Sequence, residues 1–214
     1  MPEKMKKKVR FRIQSPCEWL GEIKVRHVLP NKFVQAIGPF VFLEHVLSYK
    51  QSLNESQARL GGKQSHPHRG IATLTYILFG EVEHLDSLEN HVKLGSGGAH
   101  CMKAGKGVIH DETVRSEYRM TNTDVSVVQM WINLSSKRKV EEPDYFSLLP
   151  GEIPKQNLDN DAGWIKVLSG EYENLVAKIP SYSNEFAYHI QLGPRKKFSI
   201  RTEKAFEYAA FLPA

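Results

Sequence analysis

Cysteine is scarce: 214 residues hold two, Cys17 and Cys101. Two are too few for a disulfide framework, and neither belongs to a C-x-x-C pair. Both are expected to be free thiols, with Cys101 in "AHCMKAG" read as a small buried apolar side chain. Long apolar runs are also missing; none approaches the roughly 20 residues that cross a bilayer. The basic start, "MPEKMKKKVR", is followed by "FRIQSPCEWLGEIKV", which polar residues interrupt. That is not the apolar region of a signal peptide, so the chain reads as unsecreted and cytoplasmic, with no membrane partner. Aromatic interleaving is absent from the basic runs "EKMKKKVR", "SSKRKVEE" and "GPRKKF", although the net charge is +5. Short scattered runs of this kind read as solvated loops and strand ends rather than an RNA-binding sheet. Neither a helix-turn-helix nor a zinc finger is visible, which argues against direct sequence-specific DNA binding. "GSGG" lacks the G-K-[ST] ending of a phosphate loop and reads as a turn.

The dominant pattern has a period of two. "VRFRI" (9–13), "EIKVRHV" (22–28), "ATLTYIL" (72–78), "EVEHLDS" (81–87), "HVKLG" (91–95), "VSVVQMWINL" (125–134), "WIKVLSG" (164–170), "NLVAKI" (174–179), "FAYHIQL" (186–192) and "FEYAAFL" (206–212) are expected strands. Strands recurring at roughly ten-residue spacing indicate an all-β antiparallel sandwich or barrel. The best candidate for a helical or irregular excursion is "VLSYKQSLNESQARLGGK" (46–63), ended by Gly61-Gly62. After residue 134 the composition becomes polar and proline-bearing, with Pro143, Pro150 and Pro154. The expected organisation is a domain over 1–134, a connection over 135–163 and a shorter strand block over 164–214. That last block holds too few strands for a closed barrel of its own.

Two short stretches carry the chemistry. "SHPHRG" places His66 and His68 two positions apart, and "GVIHDE" does the same with His110 and Glu112. On a strand, side chains at i and i+2 share a face, so each pair projects together. Pro67 donates no N–H and belongs on an edge or a strand's first residues. If the pairs lie on strands facing across a barrel, three imidazoles and one carboxylate converge. That donor set holds one divalent first-row metal and, in an octahedral shell, leaves two positions open.

The stretches "HPHRGIATLTYILFGEVEHLDS", "MKAGKGVIHDE" and "VVQMWINLSSKRKVEEPDY" resemble the pirin family, bicupin proteins of the cupin superfamily. "IGPFVFLEHV", "GEIPK" and "WIKVLSGE" are similar to flanking segments of the same family. The resemblance implies a cupin antiparallel β-barrel (double-stranded β-helix or jelly roll). It also implies that His66, His68, His110 and Glu112 are the metal ligands, with Fe(II) first among the candidate metals. Family members usually carry two complete cupin barrels. Here the C-terminal one is expected to be incomplete, which predicts exposed sheet edges and self-association.

The resemblance implies quercetin 2,3-dioxygenase-like oxidation of a chelating enol or flavonol, with Glu112 as general base. The alternatives are a non-catalytic metal- or redox-responsive regulator with a protein partner, like a transcription cofactor, and a degraded copy. Of the other histidines, His84 reads as a packed or half-exposed strand residue or as a partner beside the ligands, His45 as core packing or a lining of the pocket mouth, and His100 as a neighbour of the site. Arg69 either attracts an anionic substrate or pairs with a nearby carboxylate.

Overall fold

The computed structural model describes residues 7–21, 23–49, 60–62, 64–115 and 124–213. Within them the chain runs through β1 (Glu18–Leu20), β2 (Ile23–Leu29), β3 (Phe40–Tyr49), β4 (His66–His68), β5 (Ile71–Phe79), β6 (Glu81–Asp86), β7 (His91–Gly95) and β8 (Ala99–Lys103). It continues through β9 (Val108–Arg115), β10 (Asp124–Asn133), β11 (Asp144–Leu148), β12 (Lys155–Asn157), β13 (Gly163–Ser169), β14 (Glu171–Tyr172), β15 (Leu175–Val176) and β16 (Ala187–Leu192). Two 3-10 turns, Arg138–Val140 and Asp159–Asp161, are the only helical pieces among the described residues.

Every strand pairing among the described residues is antiparallel. The largest sheet has seven strands in the order β1-β2-β3-β10-β5-β8-β11, and a four-stranded sheet follows β4-β9-β6-β7. A three-stranded sheet, β12-β13-β16, and the β14-β15 ribbon complete the structure. The fold is thus the all-β antiparallel architecture expected.

Strand periodicity explains how the layers meet. Along β5, Ala72, Leu74 and Tyr76 point to one face and Thr73, Thr75 and Ile77 to the other. Ile77 joins Val25, Val46, Val125 and Val127 in a cluster with Val82, Leu94 and Val114 of the four-stranded sheet. Ala72, Leu74 and Tyr76 join Ile132 and Leu148 in a second cluster that takes in Ile153, Leu168, Ile179 and Tyr182. The large sheet is therefore covered on both faces, and its outer cover comes from residues beyond 150. β11 and β12 both fall within the 135–163 stretch, and β11 pairs with β8 from Asp144↔Lys103 to Leu148↔Ala99.

Several expected elements differ. Residues 9–13 and 206–212 alternate in polarity but form no strand. Side-chain packing, not a ladder, uses the apolar positions of the second segment: Phe211 lies edge-on to His45 with ring centroids 5.4 Å apart. Nearby, Glu207 Oε2 accepts the Gly38 N–H at 2.8 Å. The strand expected at 174–179 shrinks to the two residues of β15. The first residues of the expected helical excursion, 46–49, instead end β3, where they pair with β2 and β10. Residues 50–59 and 63 of that stretch lie outside the described residues.

The turn between β8 and β9 requires a glycine. Gly105 has φ +48, and a Cβ there would lie 2.3 Å from the Glu141 carbonyl oxygen. Only glycine accepts both the backbone conformation and that approach. The turn it makes leads the chain into β9, which carries two of the expected ligands.

Candidate metal centre

Two sheets build the site from opposite sides. The four-stranded sheet supplies His66 and His68 from β4, His84 and Asp86 from β6, and His110 and Glu112 from β9. The seven-stranded sheet supplies Thr75, His100, Gln129 and Tyr145. Along the inward face of β9 the chain reads Val114, Glu112, His110, so the interior passes from apolar to polar within three inward positions.

The two ligand pairs do not face each other across a barrel. They stand on neighbouring antiparallel strands, with His66 opposite His110 and His68 opposite Val108. Cross-strand neighbours have Cβ atoms ~5 Å apart, within easy reach of two imidazoles. Pro67 sits on β4, the edge of its sheet, where a residue without an N–H is tolerated.

His66, His68 and His110 bring three ring nitrogens within 4.8 Å of one another. The Nε2 atoms of His66 and His110 are 3.1 Å apart. Metal–imidazole bonds of ~2.1 Å at a right angle set donor atoms ~3.0 Å apart, so this pair matches two adjacent ligands. His66 donates from Nδ1 to the Gln64 carbonyl at 2.6 Å. In the neutral ring that leaves Nε2 with a lone pair directed at the site. His68 Nε2 is buried with no hydrogen-bond partner. A buried ring nitrogen without a partner, on an imidazole packed against His66 and His110, fits a cation, because a buried polar atom without a partner is otherwise costly.

Glu112 lies deeper. It falls outside the group of His66, His68 and His110 and is grouped instead with His84 and His110; its Oε2 is 4.0 Å from His110 Nδ1 and 3.6 Å from His100 Nε2. Oε1 accepts from the Gln129 amide at 3.2 Å, while Oε2 has no hydrogen-bond partner. Burial pushes the Glu112 carboxyl up to about 7, against the opposing pull of the Thr75 and Gln129 hydrogen bonds.

The imidazoles shift the other way. Burial, and then its neighbour His66, lowers His68 to about 4. Burial lowers His110 to about 2, with the surrounding histidines adding to it. His100, fully enclosed, is lowered well below its usual value by burial and by His84. Each is neutral near pH 7, the form that binds a metal ion.

His100, expected as a neighbour of the site, lies beside Glu112 and His84. His84, expected as a packed or half-exposed strand residue or as a partner beside the ligands, is buried. It is also part of the site, with Nδ1 3.4 Å from His110 Nδ1 and its ring stacked on Tyr145 at 4.4 Å between centroids. The available signal was the i, i+2 pair His84 and Asp86, which repeats the spacing of the two ligand pairs. Tyr145 carries no such signal, because its strand lies in a stretch without sustained alternation. His45 is a core residue, donating to or accepting from Ser126 Oγ at 2.7 Å. Arg69 is exposed and borders a shallow hollow with His68, Ser87 and Ile109.

An antiparallel β-protein with a histidine-rich centre between its sheets belongs to the cupin class. The Pirin family model matches residues 22–132, and the chain belongs to the pirin family. A Pseudomonas aeruginosa protein provisionally named a quercetin 2,3-dioxygenase is 32% identical over 188 residues, 87% of this chain and 65% of that protein. Human Pirin is 34% identical over 142 residues, 66% of this chain and 47% of its own length. The crystal structure of a quercetin 2,3-dioxygenase from Acinetobacter baumannii superimposes with a TM-score of 0.69 at 29% identity, covering 82% of this chain and 61% of that one. The chain thus spans less than two thirds of the length of these relatives.

Proposed function

We propose that the chain is a metal-dependent pirin that oxidises a chelating enol or flavonol with dioxygen, as a quercetin 2,3-dioxygenase does. The observation that carries the reading is the convergence of the His66, His68 and His110 nitrogens. The names of the Pseudomonas and Acinetobacter proteins support the substrate class. In this reading the three histidines and Glu112 hold one divalent metal, Fe(II) first among first-row ions. The metal would supply Lewis acidity and open positions for a chelating oxygen pair or for dioxygen.

The chain's own residues do the rest. His66 is exposed while His68 and His110 are buried, so the centre opens to solvent on the β4 side. Glu112, whose buried carboxyl is raised to about 7 in the metal-free chain, would act as the general base that takes the substrate's hydroxyl proton. It serves as base when its carboxylate is loosened from the metal, since one lone pair cannot do both at once. The Gln129 amide keeps one carboxylate oxygen oriented while the other is free to accept. Trp131 stands edge-on to His68 with centroids 5.1 Å apart and stacks on Phe42 at 4.3 Å, giving the mouth an aromatic wall suited to a planar ligand.

The test is anaerobic purification, metal analysis after Fe(II) loading, and oxygen uptake against quercetin and other chelating enols. Stoichiometric metal with substrate-dependent uptake is expected. A fully loaded chain that consumes no oxygen with any of them would eliminate the enzyme reading and leave a metal-dependent binder.

A further inference from the structure

We propose that Asp86 and His84 are positioning residues that fix the proton of His110 on Nδ1, keeping its Nε2 bare for the cation. The purpose of this relay rests on the metal reading above; its geometry stands independently. On β6, residues 84 and 86 share the inward face. The register with β9 sets His84 opposite Glu112 and Asp86 opposite His110.

The direction of each hydrogen bond follows from the far end. Asp86 Oδ1 accepts the backbone N–H of Leu88 at 2.9 Å, the backbone N–H of Asn90 at 3.1 Å and the Asn90 side-chain amide at 3.1 Å. Oδ2 accepts the same amide at 2.9 Å. A carboxylate surrounded by donors is itself only an acceptor. His84 Nε2, 3.1 Å from Oδ2, must therefore carry its proton and donate. In a neutral imidazole the other nitrogen is then bare. That bare Nδ1 faces His110 Nδ1 at 3.4 Å, so the proton between them belongs to His110. The Nε2 of His110 is left as a lone pair.

At the end of the chain two lone pairs meet. His110 Nε2 lies 3.1 Å from His66 Nε2, which is bare because His66 donates from Nδ1 to Gln64. Two lone pairs at that separation repel each other unless a cation draws both. Tyr145 holds the relay in plane: its ring is stacked on His84 at an interplanar angle of 20°. The side chain that fixes the tautomer is thus clamped by a strand of the opposite sheet. Outer partners of this kind raise the basicity of a ligand and orient its ring, and losing one typically costs about 10–100-fold in metal affinity.

The experiment has two arms. In the metal-free full chain with 15N-labelled histidine, long-range 1H–15N correlation should show His110 protonated at Nδ1 and bare at Nε2, and His84 the reverse. In Asp86→Asn, the amide oxygen keeps the Leu88 and Asn90 backbone contacts while its NH2 faces His84 Nε2 and inverts the relay. His110 should then move its proton to Nε2, and Co(II) affinity, followed by visible absorption, should fall about 10–100-fold. His84→Gln, which retains an acceptor and a donor, should recover more affinity than His84→Leu. A wild-type His110 protonated at Nε2 overturns the relay, as does an Asp86→Asn chain that binds Co(II) as tightly as wild type. The wild-type spectrum needs no variant to fold. A chain that shows the expected tautomers but takes up no divalent ion would overturn the metal reading and leave the relay intact.

Discussion

At the scale of single residues, the proposed metal centre calls for nitrogens that carry no proton. His68→Ala removes a buried orphan Nε2 and should reduce bound metal to near background in a folded protein. His189→Ala is the control. Its Nδ1 is 2.9 Å from the Tyr76 hydroxyl and its ring packs on Trp164, outside the donor cluster, so metal content per folded chain should be unchanged. Elemental analysis of the two variants decides, and full occupancy in His68→Ala would remove this residue from the ligand set. The thiols differ in the same local way. Cys17 is exposed and Cys101 buried, and burial pushes the Cys101 thiol up to about 12. A thiol reagent at pH 8 should label Cys17 in the native chain and Cys101 only after denaturation. Rapid native labelling of both would contradict the packing around Cys101.

At the scale of elements, position along a strand decides which residue meets which. The Gly105 turn sets where β9 begins, and with it the register His66↔His110. Gly105→Ala would place a Cβ 2.3 Å from a backbone oxygen at φ +48. It should cost ~2 kcal/mol or more, combining left-handed strain with a backbone clash. For a chain of this size that lowers Tm by ~4 °C or more, read by thermal denaturation. An unchanged Tm would mean that the turn relaxes freely. The three-stranded sheet leaves β12 and β16 as its outer strands. Unpaired edges are templates for another chain, and sizing with light scattering across a concentration series should show reversible association. A monomer at every concentration would show that these edges are protected.

At the scale of the whole molecule, protonation links the buried centre to stability. Burial lowers His45 and His68 to about 4 and His110 to about 2, and lowers His84, His100 and His189 as well. Below the ordinary histidine value of 6.5, unfolded imidazoles bind protons that folded ones refuse. The metal-free chain therefore loses stability as pH falls from about 6.5 toward 4. Glu112 and Glu44 act in the opposite sense. Burial raises both, so the folded chain keeps protons the unfolded chain has released, and their effect weakens stability as pH rises from 4.5 toward 7. Six histidines oppose two glutamates, so the histidine slope dominates: stability should rise from pH 4 and level off at about pH 8, once the unfolded imidazoles have lost their protons. Melts of the chelator-treated chain across pH 4–8 measure this; stability rising steadily on acidification would contradict it.

The sequence alone determined the alternating strands, the low helix content and the pairing of His66 with His68 and of His110 with Glu112, because a period of two is a local property of extended backbone. It also carried the family, through the stretches around 66–112. Tertiary structure decided that the two pairs lie side by side on β4 and β9, since hydrogen-bonding partners are chosen between strands, not within them. It decided that 9–13 and 206–212 stay outside any ladder, since alternation marks a half-buried segment whether or not a neighbouring strand supplies N–H and C=O partners. It brought Tyr145 from beyond the large sheet's central strands onto His84, and it set His84 Nε2 against the Asp86 carboxylate and Nδ1 against His110. Those roles depend on which groups face one another across two sheets, a relation that residues distant in sequence acquire only when the sheets pack.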